Sequence, residues 1–204
     1  MSNEESQPAP RWVTDHESGH SEWYVQRFRS LAAQGADLEG EARFLDALLP
    51  RHARVLDAGC GPGRVGAALH SRGHSVVGVD IDPILLAAAK EDHPGPVWLQ
   101  ADLATMDLSA LGESDPFDAA IVAGNVMTFI AIGTGSQVLR RIAAHLKSGA
   151  AIAVGFGRDR GYDISTFDID TQEANLTLEH RFATWDLRPW TIASDFAVSV
   201  LRTP

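Results

Sequence analysis

Two stripes of hydrophobic positions near the start of the chain follow helical spacing. The first runs through residues 21–33 and the second through residues 38–49, so each is predicted to form an amphipathic helix. Asp37 stands where a helix cap belongs, and we expect it to cap the second helix. Pro50 is expected to end that helix, because proline cannot continue the hydrogen-bond ladder.

The residues ahead of these stripes are polar and show no hydrophobic periodicity. Residues 1–16 are therefore predicted to form a flexible tail. The remainder, residues 17–204, is predicted to be a single domain, in which residues 17–36 are a candidate lid helix.

The rest of the chain alternates between short apolar runs and helical segments. The runs predicted to be strands cover residues 54–56, 75–79, 97–100, 117–123 and 150–154. The helices predicted between and after them cover residues 65–71 and 84–91, a segment around 139–146, and residues 165–174. Continuous apolar strands that alternate with helices indicate a parallel sheet covered on both faces.

The end of the chain follows a different pattern. Residues 176–183 and 196–201 are strand-like, and no helix is predicted between them. Two successive strands without a crossover helix pair antiparallel. The predicted fold is therefore α/β, with a doubly wound, mostly parallel seven-stranded sheet, a C-terminal antiparallel hairpin and N-terminal helices.

A glycine-rich turn follows the first predicted strand, in the segment VLDAGCGPGRVG at residues 55–66. Gly59, Gly61 and Gly63 allow close approach of a ligand and positive φ angles, and the helix that follows offers free N–H groups. Gly61, Gly63 and Gly66 also fit the dinucleotide fingerprint G-x-G-x-x-G. Asp57, however, would repel a pyrophosphate at that helix terminus. The carboxylate instead favours a ligand that carries positive charge.

Two more carboxylates follow the next two strands. Asp80 ends the run VVGVD and is placed to accept hydrogen bonds from ribose hydroxyls, as NAD sites also do. Asp102 follows the third strand, where it can accept a hydrogen bond from an adenine amine while Leu103 contacts the ring. Asp57, Asp80 and Asp102 are spaced almost evenly, and we expect them together at the carboxyl edge of the sheet, where open α/β folds bind ligands.

The segments VLDAGCGPG, VVGVD and QAD resemble successive motifs of the class I S-adenosylmethionine-dependent methyltransferases, and the resemblance extends over roughly residues 41–204. It implies a Rossmann-like methyltransferase fold and S-adenosylmethionine as the cofactor. It also implies that Asp57 lies near the methionine end of the cofactor, Asp80 at its ribose and Asp102 at its adenine. The cofactor-binding residues expected on this basis are Asp57, Gly59, Gly61, Gly63, Asp80, Ile81, Asp102, Leu103 and Asn125.

The loop after the fourth predicted strand contains the candidate residue for orienting the acceptor. Its Gly124-Asn125 pair resembles small-molecule N-methyltransferases of the glycine N-methyltransferase kind. The resemblance implies in-line methyl transfer to a nitrogen, oxygen or carbon nucleophile of a small-molecule acceptor, with Asn125 as a candidate for orienting it. Residues 124–127 include no group that titrates near neutrality, so we expect proximity and orientation to supply the catalysis. An oxygen acceptor of high pKa would need a base, for which the candidates are His16, His20 and His180.

Two segments supply candidate substrate contacts. Tyr24, Arg27 and Phe28 lie in the candidate lid, and Trp185 and Arg188 lie near the terminal hairpin. Aromatic and guanidinium groups bind planar or anionic acceptors. Packing within the core or the hairpin explains these residues equally well.

Composition narrows the class of partner. A chain of 204 residues that is 45% hydrophobic suits one domain, and its net charge of -10 argues against a nucleic-acid partner. No apolar run reaches the ~20 residues of a membrane span, and the histidines lack metal-ligand spacing, so neither a membrane partner nor a metal is expected. The single cysteine, Cys60, cannot form an internal disulfide, and a secretory signal is not recognisable, so we expect a cytoplasmic location.

Two other functions remain open on the sequence. A protein that binds S-adenosylmethionine as an effector, without turnover, would carry the same cofactor motifs. An NAD(P)-linked oxidoreductase would share the ribose carboxylate, although Asp57 and the terminal hairpin count against it.

Overall fold

A computed structural model describes residues 8–158 and 160–204 of the chain. The helices are α1 (Arg11–Thr14), α2 (His20–Ala33), α3 (Gly40–Asp46), α4 (Arg64–Ser71), α5 (Pro83–Asp92), α6 (Val126–Phe129), α7 (Gly135–Ala144) and α8 (Ile164–Glu173). The strands are β1 (Arg54–Ala58), β2 (Ser75–Asp80), β3 (Val97–Gln100), β4 (Phe117–Val122), β5 (Leu146–Gly157), β6 (Thr177–Phe182) and β7 (Phe196–Arg202).

The strands form one seven-stranded sheet in the order β3-β2-β1-β4-β5-β7-β6. Strands β1 to β5 pair in parallel, whereas β7 lies between β5 and β6 and is antiparallel to both. This confirms the doubly wound fold and the antiparallel ending that the sequence predicts. The strand order reverses between β1 and β4, and such a reversal opens a crevice at the carboxyl ends of the strands.

Alternate residues of each central strand pack on opposite faces of the sheet. In β1, Val55 belongs to the cluster that α3 and α4 cover, and Leu56 belongs to the cluster that α7 and α8 cover. Both side chains are fully buried. Strand periodicity of two residues thus produces two cores, one on each side of the sheet.

Asp82 caps α5. Its Oδ1 accepts the backbone N–H groups of Ile84 at 2.8 Å and Leu85 at 3.3 Å. Pro83 is the first residue of the helix, where its missing N–H costs nothing.

Three predicted element boundaries are wrong, and one of them is the end of the second helix, since α3 ends at Asp46 and not at Pro50. Asp37 does not cap α3, because the helix begins at Gly40 with Glu39 as its cap residue, and the Asp37 carboxylate pairs instead with Arg43. Leu146 does not end a helix but begins β5, since it pairs with Phe117 of β4. Its partly buried side chain packs against the α7 side of the core, which is why its spacing imitates a helical stripe.

The predicted start of the domain at residue 17 is also too late. Helix α1 lies inside the segment predicted to be a tail, and its side chains contact distant parts of the domain. The first part of that predicted tail, residues 1–7, lies outside the described residues. Within 8–158 and 160–204, no helix combines the length and the apolar composition needed to cross a lipid bilayer.

Candidate functional site

A cavity opens at the carboxyl edge of the sheet, above the point where the strand order reverses. The segments that follow β1, β2, β3 and β4 form its wall, and residues from before and within α2 cover it. The residues predicted from the sequence that line it are Tyr24, Asp57, Gly59, Gly61, Asp80, Ile81, Asp102 and Leu103. The structure therefore brings the three strand-end carboxylates together in one cavity.

The glycine turn after β1 forms the floor of the cavity. Gly59 adopts a φ of 79°, and a Cβ atom at this position would lie 2.3 Å from Val126 Cγ2. The N–H groups of Gly59 and Cys60 both donate to the carbonyl of Val79, at 2.8 and 3.0 Å, which holds the turn against β2. Only glycine fits at position 59, because both the conformation and the space exclude a side chain.

Gly63 has a different role from the one expected. It does not line the cavity, and a Cβ atom there would lie 2.9 Å from both Ala89 and Trp98. This glycine allows α4 to begin with a φ of 84° at its cap while α5 and the Trp98 ring pack closely beside it. It shapes the cavity only indirectly, by fixing where α4 starts.

Asp57 is almost completely buried at the end of β1, with a relative exposure of 1%. Burial raises the pKa of its carboxyl group to about 7, although the Arg64 guanidinium and the Gly66 N–H act in the opposite direction. Among the residues that the structure describes, no donor contacts Asp57 Oδ2. A buried carboxylate oxygen without a partner is costly, so a positively charged ligand group in the cavity would stabilise it.

Asp80 is held in place by two backbone donors. Its Oδ2 accepts the Gly61 N–H at 2.8 Å, and its Oδ1 accepts the Asp82 N–H at 2.9 Å. Burial nevertheless raises the pKa of Asp80, while these two hydrogen bonds lower it. A carboxylate has about four lone-pair sites, so Asp80 keeps acceptor capacity toward the cavity for two hydroxyl groups.

Asp102 and Leu103 form the next part of the wall. Asp102 Oδ1 accepts the Ala104 N–H at 2.8 Å, which fixes the turn after β3. The Leu103 side chain is buried and belongs to the core cluster under the cavity. Ile81, which follows β2, lines the cavity beside them, and its carbonyl accepts a hydrogen bond from Gln100 Nε2 at 3.0 Å.

Three aromatic rings cover the cavity, and we call them the roof: Trp12, Tyr24 and Phe129. The Trp12 ring contacts Tyr24 with centroids 5.5 Å apart at 79°, and Phe129 with centroids 5.4 Å apart at 88°. Such edge-to-face geometry is favourable for aromatic pairs. Tyr24 was predicted as a substrate candidate, whereas Trp12 and Phe129 were missed. The available signal was a tryptophan inside an otherwise polar segment.

Arg64 is another lining residue that sequence reasoning missed. Its Nη1 donates to Glu41 Oε2 at 2.9 Å and to the Leu38 carbonyl at 2.8 Å, so α4 and α3 are joined beside the cavity. Its guanidinium carbon also lies 5.2 Å from the Phe28 ring centroid. The available signal was its position directly after the glycine turn, at the first residue of the helix.

Two predicted substrate candidates in α2 do not line the cavity. The Arg27 guanidinium lies 5.5 Å from the ring centroid of Trp23, on the outer side of the helix. Phe28 packs against Tyr24, with ring centroids 4.9 Å apart, and so supports the roof from behind.

The two candidates near the terminal hairpin also lie away from the cavity. The Trp185 ring packs on β5, where a Cβ atom at Gly155 would lie 2.2 Å from its Cζ2, and it contacts Phe44 with centroids 5.3 Å apart. Arg188 is exposed and lies 3.5 Å from Asp186. The packing alternative explains Trp185, because its surroundings belong to the α3 side of the core.

Asn125 connects two loops and does not line the cavity, although Gly124 and Val126 on either side of it do. Its Oδ1 accepts the Gly157 N–H at 2.7 Å, and its backbone adopts a φ of 67°. The side chain thus ties the start of α6 to the end of β5. The structure gives Asn125 this bridging contact, and its expected contact with a ligand stays a prediction.

The three candidate histidines have different surroundings. His16 and His20 stack on each other, with centroids 3.7 Å apart, and both rings contact Trp12 of the roof. Burial and the neighbouring His16 lower the pKa of His20. His180, in contrast, lies on the exposed part of β6 and contacts Phe182. Only the stacked pair lies next to the cavity.

Comparisons with known proteins agree with this geometry. A family model described as a methyltransferase domain matches residues 55–149. A solved TehB-like SAM-dependent methyltransferase from Corynebacterium glutamicum is 41% identical and superposes with a TM-score of 0.86, over 92% of this chain and 100% of that one.

Curated relatives match over a shorter stretch. A ribosomal protein L11 methyltransferase from Symbiobacterium thermophilum is 34% identical over 52% of this chain and 33% of its own length. A trans-aconitate 2-methyltransferase from Azoarcus sp. is 34% identical over 52% of this chain and 40% of its own length. The chain thus spans less than half the length of these two relatives.

Proposed function

Since the chain belongs to the class I S-adenosylmethionine-dependent methyltransferases, we propose that it methylates a nucleophilic nitrogen, oxygen or carbon atom of a small-molecule acceptor. The cofactor, S-adenosylmethionine, supplies the methyl group, and its sulfur keeps the electron pair of the broken bond. Cofactor and acceptor are expected to meet in the cavity at the carboxyl edge of the sheet.

One observation carries this proposal: Asp57, whose buried Oδ2 has no donor among the described residues, lines the same cavity as the acceptor-rich Asp80. S-adenosylmethionine carries an ammonium and a sulfonium but no phosphate, so its charge complements Asp57. The glycine turn supplies a wall without side chains for the methionine part. The carboxylates and the glycine turn of the cavity therefore fit this cofactor better than they fit a dinucleotide, which argues against the oxidoreductase alternative.

The roles proposed for the wall follow from the order of the strands. Asp57 holds the methionine ammonium, and Asp80 accepts hydrogen bonds from the ribose hydroxyls. Asp102 accepts a hydrogen bond from the adenine amine, while Ile81 and Leu103 supply the apolar contacts to the ring. The glycines at 59 and 61 allow the close approach of the cofactor.

The roof favours a small-molecule acceptor over a large one. Trp12, Tyr24 and Phe129 line the cavity with aromatic rings, and such a cover would limit the access of water and of large acceptors to a bound cofactor. The relatives do not choose between classes of acceptor, because one is named for a ribosomal protein and another for trans-aconitate. The proposal of a small molecule therefore rests on the roof and on the Gly124-Asn125 pair.

We propose that orientation carries most of the catalysis. The loop after β4 contributes Gly124 and Val126 to the cavity, and neither residue has a side chain that can donate or accept a proton. An acceptor that is already nucleophilic, such as a neutral amine, needs only alignment and exclusion of water. Should an acceptor require a base, the stacked His16 and His20 beside the roof are the residues to replace first.

The test combines binding and turnover. Calorimetry should detect binding of S-adenosylmethionine and S-adenosylhomocysteine, and NAD should not compete. Incubation with S-adenosylmethionine and a panel of amines, hydroxyl compounds and carboxylates should then release S-adenosylhomocysteine with at least one acceptor. Tight NAD binding without adenosylmethionine binding would overturn the proposal. Cofactor binding without turnover on any acceptor would favour a non-catalytic binding protein.

A further inference from the structure

Asp82 stands at the junction between the wall and the roof of the cavity. It is buried, with a relative exposure of 8%. Its two carboxylate oxygens have separate partners, because Oδ1 caps α5 whereas Oδ2 accepts hydrogen bonds from the Trp12 indole, at 2.8 Å, and the Ser21 hydroxyl. Oδ1 therefore caps α5, and Oδ2 connects α1 and α2 to the wall of the cavity.

Helix α1 is fastened on the opposite side of the cavity as well. Arg11 Nη1 donates to the carbonyl oxygens of Thr128 at 3.1 Å and Arg160 at 3.0 Å. Thr128 belongs to α6, and Arg160 lies beyond β5. Helix α1 thus crosses the mouth of the cavity and is attached at both sides, through Arg11 and through Trp12.

The attachment at Asp82 is linked to the proposed ribose site. Asp80 Oδ1 accepts the Asp82 N–H at 2.9 Å, so the two carboxylates are joined through the backbone. The Trp12 ring also lines the cavity directly. Movement of the Asp82 side chain would therefore release a ring that covers the cofactor while leaving Asp80 in position.

We propose that Asp82 is a positioning residue that sets how long the cofactor and its product stay bound. Its Oδ2 holds Trp12 and Ser21 over the cavity, and the cavity opens for exchange when these hydrogen bonds break. The inference rests on the proposed function, because it takes S-adenosylmethionine and S-adenosylhomocysteine as the ligands beneath the roof. A hydrogen bond from an indole N–H to a partly buried carboxylate is charge-assisted and stronger than a neutral one.

Asp82→Asn separates the two roles of the residue. Asparagine caps helices about as well as aspartate, so α5 keeps its cap through Oδ1. The amide NH₂ would replace Oδ2 and would face two donors, the Trp12 indole and the Ser21 hydroxyl. Trp12→Phe removes the same hydrogen bond from the other side and keeps an aromatic ring in the roof.

The measurement is the dissociation rate of S-adenosylhomocysteine by stopped-flow displacement. Both single variants should release it about ten-fold faster or more, as expected for loss of a charge-assisted hydrogen bond. The double variant should be no faster than the faster single variant, because the hydrogen bond that Trp12→Phe removes is already lost in Asp82→Asn. The midpoint of thermal unfolding should stay close to that of the parent for Asp82→Asn.

Asp163→Asn is the matched control. Asp163 caps α8 by accepting the Thr166 N–H at 2.8 Å and also accepts a bond from the Ser165 hydroxyl, but it does not line the cavity. This variant should release the product at the parental rate. If the parent binds ligand and both Asp82→Asn and Trp12→Phe release it at the parental rate, the role of Asp82 is overturned alone. If the parent binds neither ligand, the proposed function fails together with this inference.

Discussion

At the scale of single residues, burial decides how the carboxylates of the cavity behave. Asp57 and Asp80 both lie deep at strand ends, and burial raises the pKa of each. They differ in their partners, since Asp80 accepts two backbone N–H groups whereas Asp57 Oδ2 accepts none from the described residues. Asp57 is therefore the carboxylate whose protonation should respond most to a ligand.

We predict that cofactor affinity rises with pH through about 7, where the pKa of Asp57 lies in the free protein. An ammonium beside the carboxylate lowers that pKa, so binding below pH 7 must release a proton. Calorimetry in buffers of different ionisation enthalpy measures this release directly. Asp57→Asn should bind more weakly and lose the pH dependence near 7. A parental affinity that is constant between pH 6 and 8 would contradict the prediction.

Asp80→Ala should lower the cofactor affinity more than it lowers the stability of the folded protein. Two hydrogen bonds from ribose hydroxyls to a charged group would be lost, each contributing about 1.5–3 kcal/mol. Titration calorimetry gives the dissociation constant, and thermal unfolding gives the stability. Asp107→Ala is the control, since Asp107 also accepts backbone N–H groups in a turn, at 3.1 and 3.3 Å, but lies outside the cavity. Equal dissociation constants for Asp80→Ala and the parent would show that Asp80 only closes a loop.

Local sequence could predict the carboxylates of the wall but not the residues of the roof. Asp57, Asp80 and Asp102 each follow a strand that is recognisable by itself, so the parallel fold alone brings them to one edge. Trp12 reaches the cavity through a hydrogen bond to a residue 70 positions away, and its own segment shows no periodicity. A tryptophan in a polar segment marks the ring as unusual, but the local sequence does not indicate which residue it contacts.

At the scale of elements, α1 and α2 form a layer that depends on few contacts with the sheet. In α2 only Val25 is buried, and α1 has no buried residue. Their attachments include the roof rings, the Asp82 carboxylate, the hydrogen bonds of Arg11, and the paired side chains of Arg29 with Glu91 and Asp92. Elements with little buried apolar surface open at low free-energy cost.

Hydrogen exchange should show that residues 12–28 become more protected when cofactor binds. A ligand beneath the roof adds contacts to Trp12 and Tyr24, and these stabilise the closed arrangement of the two helices. Mass spectrometry of exchanged peptides with and without S-adenosylhomocysteine measures the effect. The α8 segment, Ile164–Glu173, serves as an internal reference that should not change. Identical exchange of residues 12–28 in both states would argue against a lid.

At the scale of the whole molecule, two features define the sheet. One is the alternation of strands and helices along the chain, and the other is the position of β7 in the strand order. The parallel part was predictable because apolar strands and helices alternate along the chain. The place of β7 between β5 and β6 was not, because the sequence indicates only that two strands without a helix pair antiparallel. The role of Trp185 was also not predictable, because an aromatic residue near a hairpin fits either a substrate pocket or packing on the sheet. The structure shows that its ring packs on β5.

We predict that Trp185→Ala lowers the free energy of unfolding by about 3 kcal/mol and leaves cofactor affinity unchanged. The ring fills the space above Gly155 and contacts Phe44, so its removal creates a cavity between the hairpin and α3. Denaturant unfolding measures the free energy of unfolding, and titration calorimetry measures the cofactor affinity. Trp23→Ala is the control, because that ring is 53% exposed and should contribute little. A loss of cofactor affinity without loss of stability would return Trp185 to the binding site.

The attachment of α1 across the cavity has an evolutionary consequence. The cofactor wall is encoded within the matched stretch, residues 55–149, whereas Trp12 and Tyr24 of the roof are encoded ahead of it. Under the proposed function, recombination near the start of the gene would exchange two of the three roof rings without altering the carboxylates of the wall. Chimaeras that carry residues 8–33 of a relative on this sheet would be a direct route to new acceptor specificities, provided that the incoming segment keeps a donor for Asp82.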